Sequence, residues 1–588
     1  MAIPEARSKF YRHVHSLRRL LEEDLASKSV SRLILAITVA WQDASYPLLR
    51  KGVRRPSGTS RYALRPEVLQ FAQWLAECKD FNVAAYWLAS AYAILVGDSV
   101  RSKASLYFTP PKLAQRVIDG LVQSGASLTE HVWHDPACGG AAFLVPVAQR
   151  MALALTQKGK TPIAILQHVA AHLSGTDLEA TLLELSKHFL RMALYDLIKV
   201  CEYLPNFELK LGDGLLIDPK NAPDIVICNP PYRKLKTSES IIYSEKFSEI
   251  IQGQPNIYGL FIHRSIKLAA ANGLAGLLTP TSFLSGQYFS KLRSWLLKNG
   301  HPHRLEMLSD RKSTFIDVEQ ETAIMIAGRQ SCTMDKEARV NLVVRTTEGV
   351  FEEIGDCVLP ACGRPWPIAK RIEDVSLVAA GAKSKFRLSN YGFKAKIGHL
   401  VDYRDNRKRF PTYSKPSQGR LVFPLIWATD ITPEGQFQHG RNRRGNRNEL
   451  FVELSSKAQG GLITTPVLLL QRVTSTDQPR RLVCTVVPTD WLQEYGGLVA
   501  ENHVIVVEPI NGLETTVSLQ TLALILRSEI VDRLFRSISG AANVSIFELD
   551  EIPLPDPAIV KRELTVGNDI EHAVLKGYGL MDLTATAA

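Results

Sequence analysis

Apolar residues recur at helical spacing through the first hundred positions. Leu17, Leu20 and Leu21 sit one turn apart, as do Trp74, Leu75 and Cys78, and Val83 to Gly97 is nearly all apolar. That spacing predicts a helical accessory region over residues 1–100. From about Ser105 the period changes, and short β-branched runs alternate with helical patterns as far as Ile326. Such alternation predicts an α/β domain, a parallel sheet covered by helices, over residues 101–330. Its strand candidates are Val132 to His134, His172 to Gly175, Phe207 to Leu209, Asp224 to Cys228, Ala275 to Leu278 and Thr322 to Ile326. Residues 331–367 read as a strand and linker region, with Pro and Gly crowded between Cys357 and Pro367. In residues 368–556, Val467 to Leu470 and His503 to Val507 read as strands and Leu519 to Phe535 as one helix, which predicts a second, mixed α+β domain. The polar tail, 557–588, is expected to be partly disordered.

Composition narrows the partners more than the fold. A chain of 588 residues exceeds one core, and 45% hydrophobic with 22% charged residues is ordinary for a globular enzyme. The net charge of +11 favours a polyanionic partner. Eight cysteines without a Cys-x-x-Cys pair point to no zinc site, no other metal centre and no disulfide framework, which fits a reducing cytoplasm. The charged start excludes a signal peptide, and the run at Val83 to Gly97 is too short to span a bilayer, so no membrane association is expected.

The chemistry concentrates at Asn229-Pro230-Pro231-Tyr232, directly after the apolar run Asp224 to Cys228. A β-branched run ending in a stiff polar and aromatic turn puts these residues at the carboxyl end of a strand, where open α/β sheets bind ligands. Asn-Pro and Pro-Pro are also ordinary turn dipeptides. The residue types suit methylation of an exocyclic amino group on a planar ring, whose lone pair is delocalised. The Asn229 side-chain oxygen and the Pro230 carbonyl can each accept one amino hydrogen and favour the geometry that frees the lone pair. Pro231 stiffens the turn, and Tyr232 offers a face for stacking. Three more strand ends precede this one. Asp135-Pro136-Ala137-Cys138-Gly139-Gly140 is a small-residue turn before a helix, open to close approach by a ligand or simply a connection. Asp177 closes the second strand and suits either ribose hydroxyls or a helix N-cap. Asp213, in Leu211-Gly212-Asp213-Gly214, closes the third and could accept from the amino group of an adenine. Together they describe an adenosine-containing cofactor along one sheet edge, beside an amino-group site.

With these motifs the chain resembles the N6-adenine DNA methyltransferases of gamma motif order, the TaqI-like and BsuBI/PstI-like bacterial type II modification methylases. Tyr107-Phe108-Thr109-Pro110 matches the family's Tyr-Phe-Thr-Pro motif, which opens a helix, here Lys112 to Leu121. Asn256 to Phe261 resembles the helix that backs the catalytic loop, and Thr279 to Leu284 and Lys291 to Arg293 match that subgroup. The resemblance covers residues 105–326 and implies a Rossmann-like, S-adenosyl-L-methionine-dependent methyltransferase core followed by a DNA target-recognition domain. It implies that Tyr107, Thr109, Asp135, Ala137 and Gly139 hold the methionine end of the cofactor, Asp177 its ribose and Asp213 its adenine. Asn229, Pro230 and Tyr232 would hold the target base, with Phe315 on its other side or else in the core. Ala141 stands where the family commonly has Gly, which is tolerable if its φ is negative.

The implied reaction is direct transfer of the sulfonium methyl to N6 of an adenine flipped out of double-stranded DNA. A Pro-Cys pair, which attack at cytosine C5 would need, does not occur. Sequence reading would fall to the basic second domain, in particular Arg407, Lys408 and Arg409 and the cluster Arg441, Arg443, Arg444 and Arg447. A run of charge also describes a plain solvated face. No nuclease pattern is evident, so restriction would need a separate cognate endonuclease. Two alternatives remain: a protein-glutamine N5 methyltransferase, which uses a similar turn, and a non-catalytic DNA-binding protein on a methyltransferase fold.

Overall fold

Strand β1 (Trp133–Asp135) is the third strand from one edge of a nine-stranded sheet and is buried along its whole length. In the computed structural model, β2 (Leu173–Asp177) and β3 (Glu208–Leu211) extend the sheet on one side of β1. On the other side come β4 (Ile225–Cys228) and β5 (Leu274–Pro280), then β6 (His301–Leu308) and β7 (Thr322–Gly328), and finally β8 (Arg339–Arg345) and β9 (Phe351–Val358). The order is β3-β2-β1-β4-β5-β7-β6-β8-β9. The first five strands are parallel, and β7 runs antiparallel to both β5 and β6. Every residue of β4, β5 and β7 is buried. A sheet covered on both faces explains why these strands read as continuous apolar runs. The strand order reverses beside β1, so ligands are expected at the carboxyl ends of β1, β2 and β4. The structure describes residues 3–22, 29–51, 59–97, 108–254, 256–308, 321–329, 338–345, 350–361, 363–413, 421–441, 448–456, 460–474, 478–539 and 543–580.

The chain divides into two compact units, one of residues 1–280 and 291–356, the other of 281–290 and 357–588. In the first, the expected helix at Lys112 to Leu121 runs over Pro111–Gln123, with Pro at its first turn. It lies close against the sheet because Gly276 on β5 has no Cβ, and one built there would stand 2.6 Å from Leu121 Cδ1. The helices of residues 3–95 are not a body of their own. Phe10, Trp41, Phe71 and Leu88 belong to one apolar cluster with Trp133, Phe189 and Ile326. Polar contacts tie the same surfaces together: His188 Nδ1 lies 2.7 Å from Gln42 Oε1, and Thr181 Oγ1 donates to Ser31 Oγ at 2.9 Å. A boundary near residue 100 is therefore a change of periodicity and not a division of the core.

The second unit contains a four-stranded antiparallel sheet (Phe393–Ile397, Val504–Pro509, Leu468–Gln471, Cys484–Val486). It also has a five-stranded mixed sheet (Arg409–Phe410, Phe451–Leu454, Leu421–Ile426, Leu498–Ala500, Leu462–Ile463). One expectation changes here. The helix expected from Leu519 to Phe535 is two, Leu519–Arg527 and Glu529–Ile538. Ser528 breaks it, its hydroxyl donating to Ile525 O at 2.8 Å and accepting from Val531 N at 3.2 Å. In the described part of the polar tail, helices Pro557–Thr565 and Ile570–Gly577 form, N-capped by Asp556 and Asp569; residues 581–588 lie outside the described residues. Val560, Val574 and Leu575 are buried there, so a sparse apolar stripe suffices. Among the described residues no helix is long and apolar enough to cross a membrane.

Candidate active site

The loops after β1, β2, β3 and β4 converge on one cleft of about 260 Å³. Thr109, Asp135, Ala137, Gly139, Asp177, Asp213, Asn229 and Pro231 all line it. Asp135 Oδ1 accepts from the Ala137 amide at 3.0 Å and shapes the turn after β1. Asp177 Oδ2 accepts from Gly139 N at 2.8 Å and Oδ1 from Glu179 N at 2.9 Å, so this acid clamps the first loop to the second strand. It does not cap the following helix, whose N-cap is Glu179. Burial raises the Asp135 carboxyl well above its usual range, and burial likewise lifts Asp177 to about 6 against the lowering effect of its backbone donors. The third loop touches the first: a Cβ on Gly214 would stand 1.8 Å from the Pro136 carbonyl oxygen. Ala141 departs from expectation. Its φ is +58°, so the condition for a tolerable methyl is not met and the loop holds left-handed backbone where glycine would relax it.

Beyond β4, Asn229 Nδ2 donates to Thr109 Oγ1 at 3.0 Å. The Tyr232 hydroxyl lies 2.6 Å from Asn229 Oδ1, to which it donates, and 2.9 Å from the Leu278 carbonyl. Tyr232 thus presents its hydroxyl inward, with its ring edge-on to Tyr258 at 6.2 Å between centroids. Burial pushes its phenol well up, so it stays a donor. The acceptor expected to receive an amino hydrogen is already holding a hydroxyl proton. The turn is anchored from behind, because the Arg233 carbonyl accepts from Ile257 N at 2.9 Å at the start of helix Ile257–Leu268.

Several lining residues lack a motif. Leu178 is 71% exposed within the cleft wall and supplies an apolar face there, as Phe108 and Phe261 do. The position of Leu178 directly after a strand-end acid was a usable clue. Arg233 and Tyr243 had none. Tyr107 and Phe315 lie outside the described residues, as do Arg443, Arg444 and Arg447. Arg407 and Arg409 are occupied within their own unit. Arg407 forks onto Asp405, with Nε 2.9 Å from Oδ1 and 3.0 Å from Oδ2. Arg409 pairs with Asp402 and reaches Glu449 at 3.2 Å. The side chains are only 11% and 10% exposed, which corrects the expectation that both face DNA. Lys408 between them is exposed, and Arg441 is partly so.

Residues 151–315 match the Eco57I restriction-modification methylase family. The type II methyltransferase M.PstI of Providencia stuartii is 25% identical over 349 residues, covering 56% of this chain and 64% of that protein. M.BsuBI of Bacillus subtilis is 22% identical over 362 residues, 59% and 68% respectively. M.AccI of Acinetobacter calcoaceticus is 27% identical over 139 residues, 22% and 26%. The chain therefore spans from about a quarter to about two thirds of these relatives' lengths. Among solved structures, the type IIL restriction-modification enzyme MmeI in complex with DNA shares the fold, with a TM-score of 0.56 at 12% identity over 89% of this chain and 82% of that one. The family match covers Asp177, Asp213 and the Asn229 turn, the part of the cleft after β1, and over those residues the chain is similar to the Eco57I restriction-modification methylases.

Proposed function

We propose that this protein transfers a methyl group from S-adenosyl-L-methionine to N6 of an adenine flipped out of duplex DNA. The observation that carries the reading is a single cleft shared by three strand-end acids and the Asn229 turn. Its residues fit the cofactor: acidic acceptors for hydroxyl and amino groups at Asp177 and Asp213, apolar faces at Leu178 and Phe261, and small residues at Ala137 and Gly139 for close approach. When bound, the cofactor supplies an activated methyl on a positively charged sulfur. The protein's own part is orientation and charge placement. Asn229, held by Thr109, offers Oδ1 to one amino hydrogen of the target, and the Pro230 carbonyl takes the other. In doing so Asn229 can exchange the Tyr232 hydroxyl for the substrate, which frees the Tyr232 ring to pack on the base. Duplex DNA is the partner in this reading, and a separate endonuclease of the same specificity completes a restriction–modification pair.

Incubation of the protein with duplex DNA and the cofactor, followed by digestion to nucleosides and mass spectrometry, tests this. N6-methyladenine is expected from the wild type and none from Asn229→Ala, which should still bind S-adenosylhomocysteine. Methylated cytosine in its place overturns the adenine assignment. Full activity in Asn229→Ala overturns the site.

A further inference from the structure

Helix Thr237–Ser244 begins five residues after the catalytic turn and joins the two halves of the cleft. At its start, Arg233, the residue after Tyr232, forks onto Glu239 with Nη1–Oε2 at 2.7 Å and Nη2–Oε1 at 2.8 Å. Glu239 Oε2 also accepts from Lys236 N at 2.9 Å. At its far end Tyr243 is 7% exposed and lies on the cleft wall. The Tyr243 hydroxyl donates to Asp213 Oδ2 at 2.7 Å, while the Leu215 amide donates to Oδ1 of the same carboxylate at 2.9 Å. The Tyr243 ring is seated edge-on against the buried ring of Phe247, 6.1 Å away. A carboxylate with one donor fixed on each oxygen cannot turn about its bond, yet it retains lone pairs that face the cleft. Burial and the Asp213 charge hold the phenol proton well above its usual range, so Tyr243 remains a donor.

We infer that Tyr243 is a cofactor-recognition residue, which locks the Asp213 carboxylate so that its remaining lone pairs accept from the 6-amino group of the cofactor's purine. The inference rests on the cofactor reading above and gives it a chemical selectivity. A 6-oxo purine would point an oxygen lone pair at a carboxylate that cannot rotate away, and no donor on Tyr243 is left to bridge them. The same helix is tied through Glu239 to Arg233, the residue next to Tyr232, so filling the purine compartment also holds the segment that carries the target-base turn.

The test is calorimetric titration of the full chain with S-adenosylhomocysteine and with S-inosylhomocysteine, in which an oxygen replaces the amino group. Wild type should prefer the amino ligand. Tyr243→Phe should weaken the amino ligand by roughly five- to tenfold, a fraction of one hydrogen bond to a charged group, and should narrow the preference because the carboxylate is free to turn. Ile242→Ser, an exposed neighbour at 61%, should move neither constant. If Tyr243→Phe is too poorly folded to titrate, Asp213→Asn reports the same selectivity and should narrow it likewise. Equal weakening for both ligands would reduce Tyr243 to packing and overturn the inference. A wild type that binds neither ligand would overturn the cofactor reading itself, independently of Tyr243.

Discussion

Two residues show how the cleft is kept ready without a ligand. Asn229 has both amide groups engaged, one on Thr109 and one on Tyr232, so its orientation is set before a base arrives. In the proposed reading the Tyr232 hydroxyl stands in for the target amino group and is not a reacting group. Tyr232→Phe should therefore cost about 1 kcal/mol of stability, one hydrogen bond, while single-turnover methyl transfer stays within about tenfold of wild type. A hydroxyl that moved a proton in the reaction would instead show a loss on the order of 10²–10⁴-fold. Asp177 makes the complementary case in pH. Its carboxyl stands at about 6, raised by burial above the ordinary range. The folded state thus favours the protonated form, and the stabilisation this gives is present below about pH 4 and lost as pH rises through about 6. Acceptance of two ribose hydroxyls needs the charged form, so the trend in affinity runs the other way. Binding of S-adenosylhomocysteine, followed by titration between pH 5 and 8, should weaken below about pH 6 in the wild type. In Asp177→Asn it should be weak throughout and flat with pH.

At the scale of elements, what the chain made legible was periodicity and its punctuation. Ile225 to Cys228 is apolar because β4 is covered on both faces, and the turn that follows sits at its end. The acids Asp135, Asp177 and Asp213 were readable because each comes where a strand stops, and all three meet in the cleft. Contacts formed across distance were not readable. Nothing in Thr237 to Ser244 marks a short helix whose last turn reaches back thirty residues to Asp213. Nor does composition reveal that Arg407 and Arg409 are spent on Asp402, Asp405 and Glu449. Local hydrogen bonding explains the other differences. Ser528 can end one helix and start the next within a single apolar pattern, and Asp556 and Asp569 cap two helices in the described part of the tail. Ala141 is a further case, since a sequence does not display the sign of φ.

Across the whole molecule, a basic excess of +11 has to be divided between charge that builds the fold and charge that faces a partner. In the second unit those two uses separate. Arg407 and Arg409 are paired and largely covered, whereas Lys408 is exposed, so one short basic run holds both kinds. Substituting Arg409 by Ala should lower urea stability by about 1–2 kcal/mol, because Asp402 and Glu449 keep their charge but no longer share a partner in a half-exposed site. It should leave the salt dependence of DNA binding alone. Neutralising Arg441, Arg443, Arg444 and Arg447 should do the reverse. If these arginines bind phosphates, each one removed deletes nearly one released counterion, and the slope of log affinity against log salt should flatten by about 0.9 for every phosphate left without its arginine. Stability and cofactor affinity should hold, since the proposed purine and base sites lie within the first unit. A slope unchanged by all four substitutions would make that cluster a solvated face and move the search for the DNA-binding surface to other exposed cations such as Lys408. The catalytic assignment would stand in either case, because it rests on Asn229 and the strand-end acids and not on charge.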